Sequence, residues 1–143
     1  LAKQLALYVV INSPLQMAAD FIENYYNHPA LDFIKQVPVS WDTTIVLKGE
    51  IEEYLMIARK DRKSKDWYLG AITDSSKRNF QLELSFLEKE NYYATIYADS
   101  EGTDWDKNPG LFDISKKTFT KGDTIQIILA EGGGQAIHFK YNE

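Results

Sequence analysis

The sequence predicts a mainly β protein, an antiparallel β-sandwich preceded by short α-helices. The stretch WYLGAITD, from Trp67 to Asp74, is β-prone and has no polar alternate face. Such a run is typical of a strand covered on both sides. From Trp41 onward apolar residues recur with a period of two. Turns about every 8 to 12 residues then predict roughly seven or eight short antiparallel strands.

Three helical segments are expected ahead of the strands. Residues 1–11 carry apolar side chains on nearly every face, which predicts burial on all sides. The S-P-L-Q run at residues 13–16 matches a capping box and predicts a second helix from about Pro14 to Tyr25. A third helix is expected from Ala30 to Val37, and Pro38 ends it.

The strands follow from alternation and from turn residues. The expected strands are Thr44–Leu47, Glu53–Lys60, Trp67–Asp74, Phe80–Phe86, Tyr92–Ala98, one or two within Leu111–Thr120, Thr124–Ala130 and Ala136–Tyr141. Gly70 weakens the central strand, so it indicates a close backbone approach or a bulge. The expected core positions are Phe80, Leu82, Leu84, Phe86, Ile125, Ile127 and Leu129.

Composition excludes several classes of protein. The net charge of −5 argues against binding along nucleic-acid phosphates, which needs a basic stripe. The absence of cysteine excludes disulfides and thiolate metal sites. No run reaches the roughly 18 apolar residues of a membrane span. The sequence lacks an initiator methionine and a leader pattern, so Leu1 is not expected to be a natural start.

Two loops could in principle hold a ligand. Gly132–Gly134 could wrap a phosphate, but it joins two expected strands, so a hairpin turn is favoured. Asp104, Asp106 and Asn108 alternate as in calcium loops. Pro109 and Ser115 stand where such a loop needs glycine and glutamate, so a solvated loop is favoured.

Histidines and clustered carboxylates offer no clear catalytic set. His28 precedes a proline in a turn, and His138 alternates with apolar neighbours, so both are expected at the surface. Glu50, Glu52 and Glu53 are interpreted as a solvated cluster at the start of a strand. We therefore assign no catalytic, cofactor-binding or metal-ligating residue.

The tryptophans are candidates for stacking on sugar rings. Trp67 lies in the most apolar strand and is interpreted as core. Trp105, in a polar loop, is the candidate for an exposed sugar-stacking platform.

Several motifs resemble the carboxy-terminal part of glycoside hydrolase family 97, which includes α-glucosidases and α-galactosidases. The matching stretches, in order, are QLALYVVINSPLQMAAD (residues 4–20), VPVSWDTTIVLKGEIEEYLMIARK (37–60), WYLGAITD (67–74), FLE (86–88), YYATIYAD (92–99) and LAEGGGQA (129–136). They span nearly the whole chain, and SPLQM and WYLGAITD are the most specific. Gln135 departs from the pattern, because the family often has an aromatic residue after the glycine run.

The resemblance implies a parent enzyme with an amino-terminal β-sandwich, a central (β/α)8 barrel and a carboxy-terminal β-domain. Residues 1–38 would be the end of the catalytic barrel, and residues 39–143 the carboxy-terminal β-sandwich domain. The family's catalytic glutamates, and those that bind calcium in the barrel, would lie before Leu1, and no position here matches them. A periplasmic or extracytoplasmic bacterial location is also implied.

These implications predict an accessory domain, structural or oligomerising, of a hydrolase that acts on α-glucosides or α-galactosides. The alternative is a carbohydrate-binding β-sandwich module. Expected partners are the catalytic barrel of the parent chain and a second copy bound through the amino-terminal helices. The latter follows because residues 1–11 are too apolar to be left in solvent; folding back on the β-domain is the other arrangement that covers them.

Overall fold

A computed structural model of the chain describes residues 1–88, 91–103, 106–108 and 110–142. Within these ranges the fold is mainly β, with three short helices followed by eight strands. The helices are α1 (Ala2–Val10), α2 (Ile22–Tyr25) and α3 (Leu31–Gln36). The strands are β1 (Trp41–Glu50), β2 (Tyr54–Asp61), β3 (Trp67–Thr73), β4 (Arg78–Glu83), β5 (Tyr92–Asp99), β6 (Phe112–Phe119), β7 (Thr124–Leu129) and β8 (Gly134–Tyr141).

The strands form two antiparallel sheets. The larger has six strands in the order β1-β2-β3-β8-β5-β6, and the smaller pairs β4 with β7. Strand β3 lies between β2 and β8 and is buried along most of its length. The prediction that WYLGAITD is a central strand covered on both sides is therefore confirmed.

The main core fills the space between the two sheets. The smaller sheet contributes Leu82 of β4 and Leu84, the residue after β4, to this core. From β7 it contributes Ile125, Ile127 and Leu129, and all five meet the inner face of the larger sheet. Phe80 and Phe86 are half-buried and pack against this core. The sequence-based core positions are thus confirmed, although β4 ends at Glu83 rather than Phe86. The chain turns after Leu84, where the Leu87 N–H donates to the Leu84 carbonyl at 3.3 Å.

A second core lies on the opposite face of the larger sheet, under the helices. Leu5 and Val9 of α1 and Phe33 of α3 pack against Tyr68 and Tyr97, with Trp41 at the edge. The apolar face of α1 therefore folds back on the protein's own sheet. This is the second of the two arrangements expected for residues 1–11.

Two glycines let α1 approach the sheet closely. A Cβ on Gly70 would lie 2.7 Å from the Ala6 carbonyl oxygen and 2.9 Å from the Val9 Cβ. A Cβ on Gly134 would lie 2.6 Å from the Lys3 Cα. Gly70 thus marks a close backbone approach, one of the two interpretations the sequence left open.

The second helix is much shorter than the sequence predicts. Only Ile22–Tyr25 is helical. The Ser13 hydroxyl accepts the N–H of Leu15, two residues on, which closes a local turn instead of capping a helix. The Gln16 amide donates to carbonyls at the end of α1, so it is not free to complete a capping box. The predicted helix from Pro14 is therefore wrong over its first two turns.

The close contact between α1 and β3 can be tested with Gly70→Ala. The added methyl must displace α1 or β3, so we expect a loss of about 1–3 kcal/mol in the free energy of unfolding. Urea denaturation measures it. Gly110→Ala is the matched control, because a Cβ there meets nothing within 4 Å. Equal losses for the two variants would show that α1 does not rest on β3.

Candidate interaction surface

The residues that follow α1 present large apolar side chains to solvent. We call residues 11–26 the exposed apolar segment. Its most exposed side chains are Ile11 (52%), Leu15 (71%), Met17 (76%), Phe21 (79%), Ile22 (66%) and Tyr26 (70%). Six such side chains within sixteen residues of sequence make this segment the candidate surface for contact with another protein.

The backbone of the exposed apolar segment is tied to α1. The Gln16 amide donates to the carbonyls of Ile11 at 3.3 Å and of Tyr8 at 3.5 Å, which satisfies acceptors at the carboxyl end of the helix. The Tyr8 hydroxyl donates to the carbonyl of Met17 at 3.0 Å. These bonds hold the segment beside the helix while its apolar side chains point away.

Arg59 also holds the carboxyl end of α1. Its guanidinium donates to the carbonyl of Val10 at 3.3 Å and lies 5.7 Å from the centre of the Trp41 ring. Arg59 is 5% exposed, and burial lowers the pKa of its guanidinium. Sequence reasoning missed this residue. The one sequence feature that points to Arg59 is the alternation of side chains along β2, which sets Arg59 on the opposite face from Met56 and Ala58.

His138 is buried under the helical side of the sheet. Its ring stacks on Tyr68 with centroids 4.3 Å apart, and its Nε2 lies 2.8 Å from Asp66 Oδ2. The prediction that His138 points to solvent is wrong. Ile137 and Phe139 face the core between the sheets, but the other face of β8 is covered as well, so alternation does not expose His138.

Asp66 joins the start of β3 to the end of β8. Its second oxygen accepts the backbone N–H of Tyr141 at 2.9 Å. Burial by itself raises the pKa of this carboxyl, but the hydrogen bonds from His138 and Tyr141 outweigh that effect and leave the pKa below its usual range.

The glycine run forms a turn between β7 and β8, in which the Gly133 N–H donates to the Ala130 carbonyl at 2.9 Å. The predicted hairpin is wrong, because β7 and β8 belong to different sheets and the turn connects the two sheets. The Asp99 carboxylate lies inside the turn and accepts the N–H groups of Ala130 at 3.0 Å and Gly134 at 2.9 Å. A Cβ on Gly133 would collide with the same carboxylate oxygen. Burial raises the pKa of Asp99, and the two N–H donors oppose that effect. The loop therefore encloses an anion that the protein itself supplies.

The other histidine and the clustered glutamates do not form a site. They make structural contacts or lie apart from one another. His28 is half-buried, stacks on Phe112 at 5.8 Å, and accepts the Ala30 N–H at 3.2 Å. Glu50 and Glu52 are exposed. Glu53 pairs with Arg78 at 2.9 Å. The structure does not bring these carboxylates and histidines together into one site.

The structure describes some of the tryptophan and calcium-loop candidates and leaves others outside the described residues. Trp41 is 8% exposed and Trp67 is 5% exposed, so neither presents a face to a sugar. Trp105, like Asp104 and Pro109, lies outside the described residues. Among the residues that are described, no group of three acidic or histidine side chains is arranged to hold a metal ion. The helices of the described chain are too short or too polar to cross a membrane.

Comparison with known proteins identifies the family. Residues 40–140 match the family model described as "Glycosyl-hydrolase 97 C-terminal, oligomerisation". The chain belongs to this family. As a glycosyl-hydrolase 97 C-terminal domain, it is an accessory part of a glycoside hydrolase.

Known proteins match the chain in sequence and in structure over nearly its whole length. The chain is 38% identical over 139 residues to a retaining alpha-galactosidase of Bacteroides thetaiotaomicron, and the match covers 96% of the chain and 20% of that protein. It is 43% identical, with a TM-score of 0.95, to a glycoside hydrolase family 97 enzyme of Pseudoalteromonas sp. strain K8 that was solved with acarbose. That match covers 99% of the chain and 22% of the enzyme.

A more distant structure shares the fold alone. A beta-arabinopyranosidase is 24% identical with a TM-score of 0.76, over 96% of the chain and 20% of that enzyme. The chain thus spans about a fifth of the length of each of these three proteins.

The contact between Asp66 and β8 predicts a pH dependence of stability. Because the folded pKa of Asp66 is lowered, its contribution is fully present above the unfolded pKa of about 3.9 and is lost as the pH falls through the folded value. We expect Asp66→Asn to be less stable than the parent chain at pH 7 and to approach it at the acidic end. Urea denaturation at a series of pH values from about 2 to about 7 measures the difference in stability between the two proteins.

Asp113→Asn controls for the loss of one negative charge at an exposed position. A constant difference between Asp66→Asn and the parent chain at all pH values would contradict the assigned role of Asp66.

Proposed function

We propose that this chain is the carboxy-terminal accessory part of an α-glycosidase that acts on α-glucosides or α-galactosides. In this proposal the exposed apolar segment is the surface that packs against the catalytic barrel of the parent chain. The observation that carries it is the set of six exposed apolar side chains in a segment that hydrogen bonds of Met17 and Gln16 with Tyr8 hold to α1.

The extent of each part follows the change in pattern at Pro38. Residues 1–38 would be the end of the (β/α)8 barrel, and residues 39–143 the carboxy-terminal β-sandwich. Two sheets that share one core support the sandwich, since β4 and β7 cover one face of the larger sheet. Helix α1 would then contact the β-sandwich with one side and the rest of the barrel with the other.

Catalysis would belong to the barrel. Glycoside hydrolysis needs two carboxyl groups placed on either side of one bond, about 5 Å or about 6.5–9.5 Å apart. Asp99, Asp66 and Glu53 are committed to structural contacts. Catalytic glutamates and a calcium ion are expected in the barrel. The retaining alpha-galactosidase relative supports α-galactosides as one substrate class.

The alternative, a carbohydrate-binding module, has less support. A platform for sugar rings needs an exposed aromatic face. Trp41 and Trp67 are buried, so this role would fall to Trp105. Sugar stacking by Trp105 stays a prediction.

Packing of the exposed apolar segment on the barrel can be tested by hydrogen–deuterium exchange. Peptides from residues 11–26 should exchange rapidly in the 143-residue chain and slowly in the parent enzyme, where the barrel covers them. Peptides from β2 and β3 serve as the control, because these strands are paired on both sides in either context. Equal exchange of residues 11–26 in the two proteins would refute the assigned contact.

Phe21→Ser tests the same surface by stability. Phe21 is 79% exposed in the 143-residue chain, so its loss should change the free energy of unfolding by less than about 0.5 kcal/mol. In the parent enzyme the same change should cost about 3 kcal/mol, if the ring is buried there. Ile128→Ser, at an exposed position on β7, is the control expected to be mild in both.

The 143-residue chain should hydrolyse no glycoside by itself. We expect no turnover of an aryl α-glucoside or aryl α-galactoside by the purified chain. Turnover that a Glu→Gln change within these residues abolishes would show that the chain holds a catalytic site of its own.

A further inference from the structure

Arg59 is the most buried of the three arginines in this chain, and it has no carboxylate partner. It is 5% exposed, whereas Arg62 lies at the surface. Arg78 is half-buried and pairs with both Glu53 and Asp74. None of the ion pairs among the described residues includes Arg59. Because a buried charge is unfavourable unless an opposite charge compensates it, the surroundings of Arg59 are incomplete.

Hydrogen bonds do not compensate the charge of Arg59. Within the described part of the chain its guanidinium makes one, from Nη2 to the Val10 carbonyl at 3.3 Å. That carbonyl lies at the carboxyl end of α1, where the helix dipole supplies only a partial negative charge. The Arg59 Nε–H meets no acceptor among the described residues, and neither does the indole N–H of Trp41. The guanidinium carbon lies 5.7 Å from the centre of the Trp41 ring, so two neighbouring buried donors and one charge lack an acceptor.

The surface that borders Arg59 is apolar. Ile11, which follows Val10, is 52% exposed, and Val39, two residues before Trp41, is 43% exposed. Ile11 is also the first residue of the exposed apolar segment, so the Arg59 site adjoins the surface assigned to the barrel. Arginine and tryptophan in apolar surroundings are the residues that most often carry the binding energy of a protein interface. The planar guanidinium suits a carboxylate, which it can bind through two parallel N–H bonds.

We propose that Arg59 binds a carboxylate of the catalytic barrel, which approaches over the carboxyl end of α1. The inference rests on the proposed function, because the barrel must cover residues 11–26, and it adds the anchoring residue and the chemistry of the contact. An aspartate or glutamate side chain packed there compensates the guanidinium charge and accepts at least one of its unused N–H groups. The apolar side chains beside the pair exclude water, which strengthens the attraction between the two charges.

Arg59→Met tests the pair by its different effects in two proteins. Methionine retains much of the apolar stem and removes the charge. In the 143-residue chain, loss of an uncompensated charge offsets loss of the hydrogen bond to Val10, so the melting temperature should rise or change by less than about 2 °C. In the parent enzyme the same change leaves the barrel carboxylate buried without a partner, and the melting temperature should fall by about 4 °C or more.

Lys117→Met is the matched control, because it removes one positive charge at an exposed position of β6. It should change the melting temperature little in either protein. An equal loss for Arg59→Met in the chain and in the parent enzyme would show that Arg59 serves the Val10 carbonyl alone, and would overturn the proposal. No loss in either protein would overturn it too.

A double-mutant comparison in the parent enzyme identifies the carboxylate. Each aspartate and glutamate of the barrel is changed to its amide, alone and together with Arg59→Met. The partner is the residue whose change lowers the melting temperature by itself but adds about 2 °C or less once Arg59 is methionine.

The absence of any coupled acidic residue in the barrel would overturn the proposal, and so would a coupled residue within residues 1–143, which would place the pair between two copies or inside the chain. Slow hydrogen exchange of residues 11–26 in the parent enzyme would in either case still support the barrel contact. Failure of the Arg59 pair and failure of the proposed function are therefore distinguishable.

Discussion

The close approach of α1 to the larger sheet is the constraint on which the helical side of this protein depends. A helix can rest directly on strand backbone only where side chains are missing, and Gly70 and Gly134 provide that space on β3 and β8. The approach sets the position of the carboxyl end of α1, where Arg59 and Gln16 bind its last carbonyls. It also covers the second face of the sheet, which is why β3 is apolar on both sides.

Much of the β-structure could be predicted from the sequence, because alternation reports which face of a strand is buried. It placed Leu82, Ile127 and Leu129 in the core between the sheets. His138 shows the limit of this reasoning. Alternation separates the two faces of β8, but whether the second face meets solvent depends on a helix more than a hundred residues away in the chain.

The helical part was less predictable, because local signals compete there with tertiary contacts. The S-P-L-Q run at residues 13–16 has the pattern of a helix start, yet Gln16 is used by the helix that precedes it. Arg59 and Asp99 carry no motif, and their partners are distant backbone groups of Val10, Ala130 and Gly134. Exposure of residues 11–26 is likewise a property of the fold, whereas the family itself could be inferred from short motifs.

The shared use of α1 has a mechanical consequence. Leu5 and Val9 belong to the same core as Tyr68 and Ala136, so the change of pattern at Pro38 does not coincide with the edge of a cooperative unit. In the proposed parent enzyme, the last helix of one part would be a structural layer of the next. Two parts joined in this way have no flexible linker about which to swing. A rotation of one part against the other would have to move α1 away from its close contacts with the sheet at Gly70 and Gly134. The accessory domain should therefore move with the barrel as a single rigid body, and an orientation fixed at one end of the molecule would be transmitted to the other.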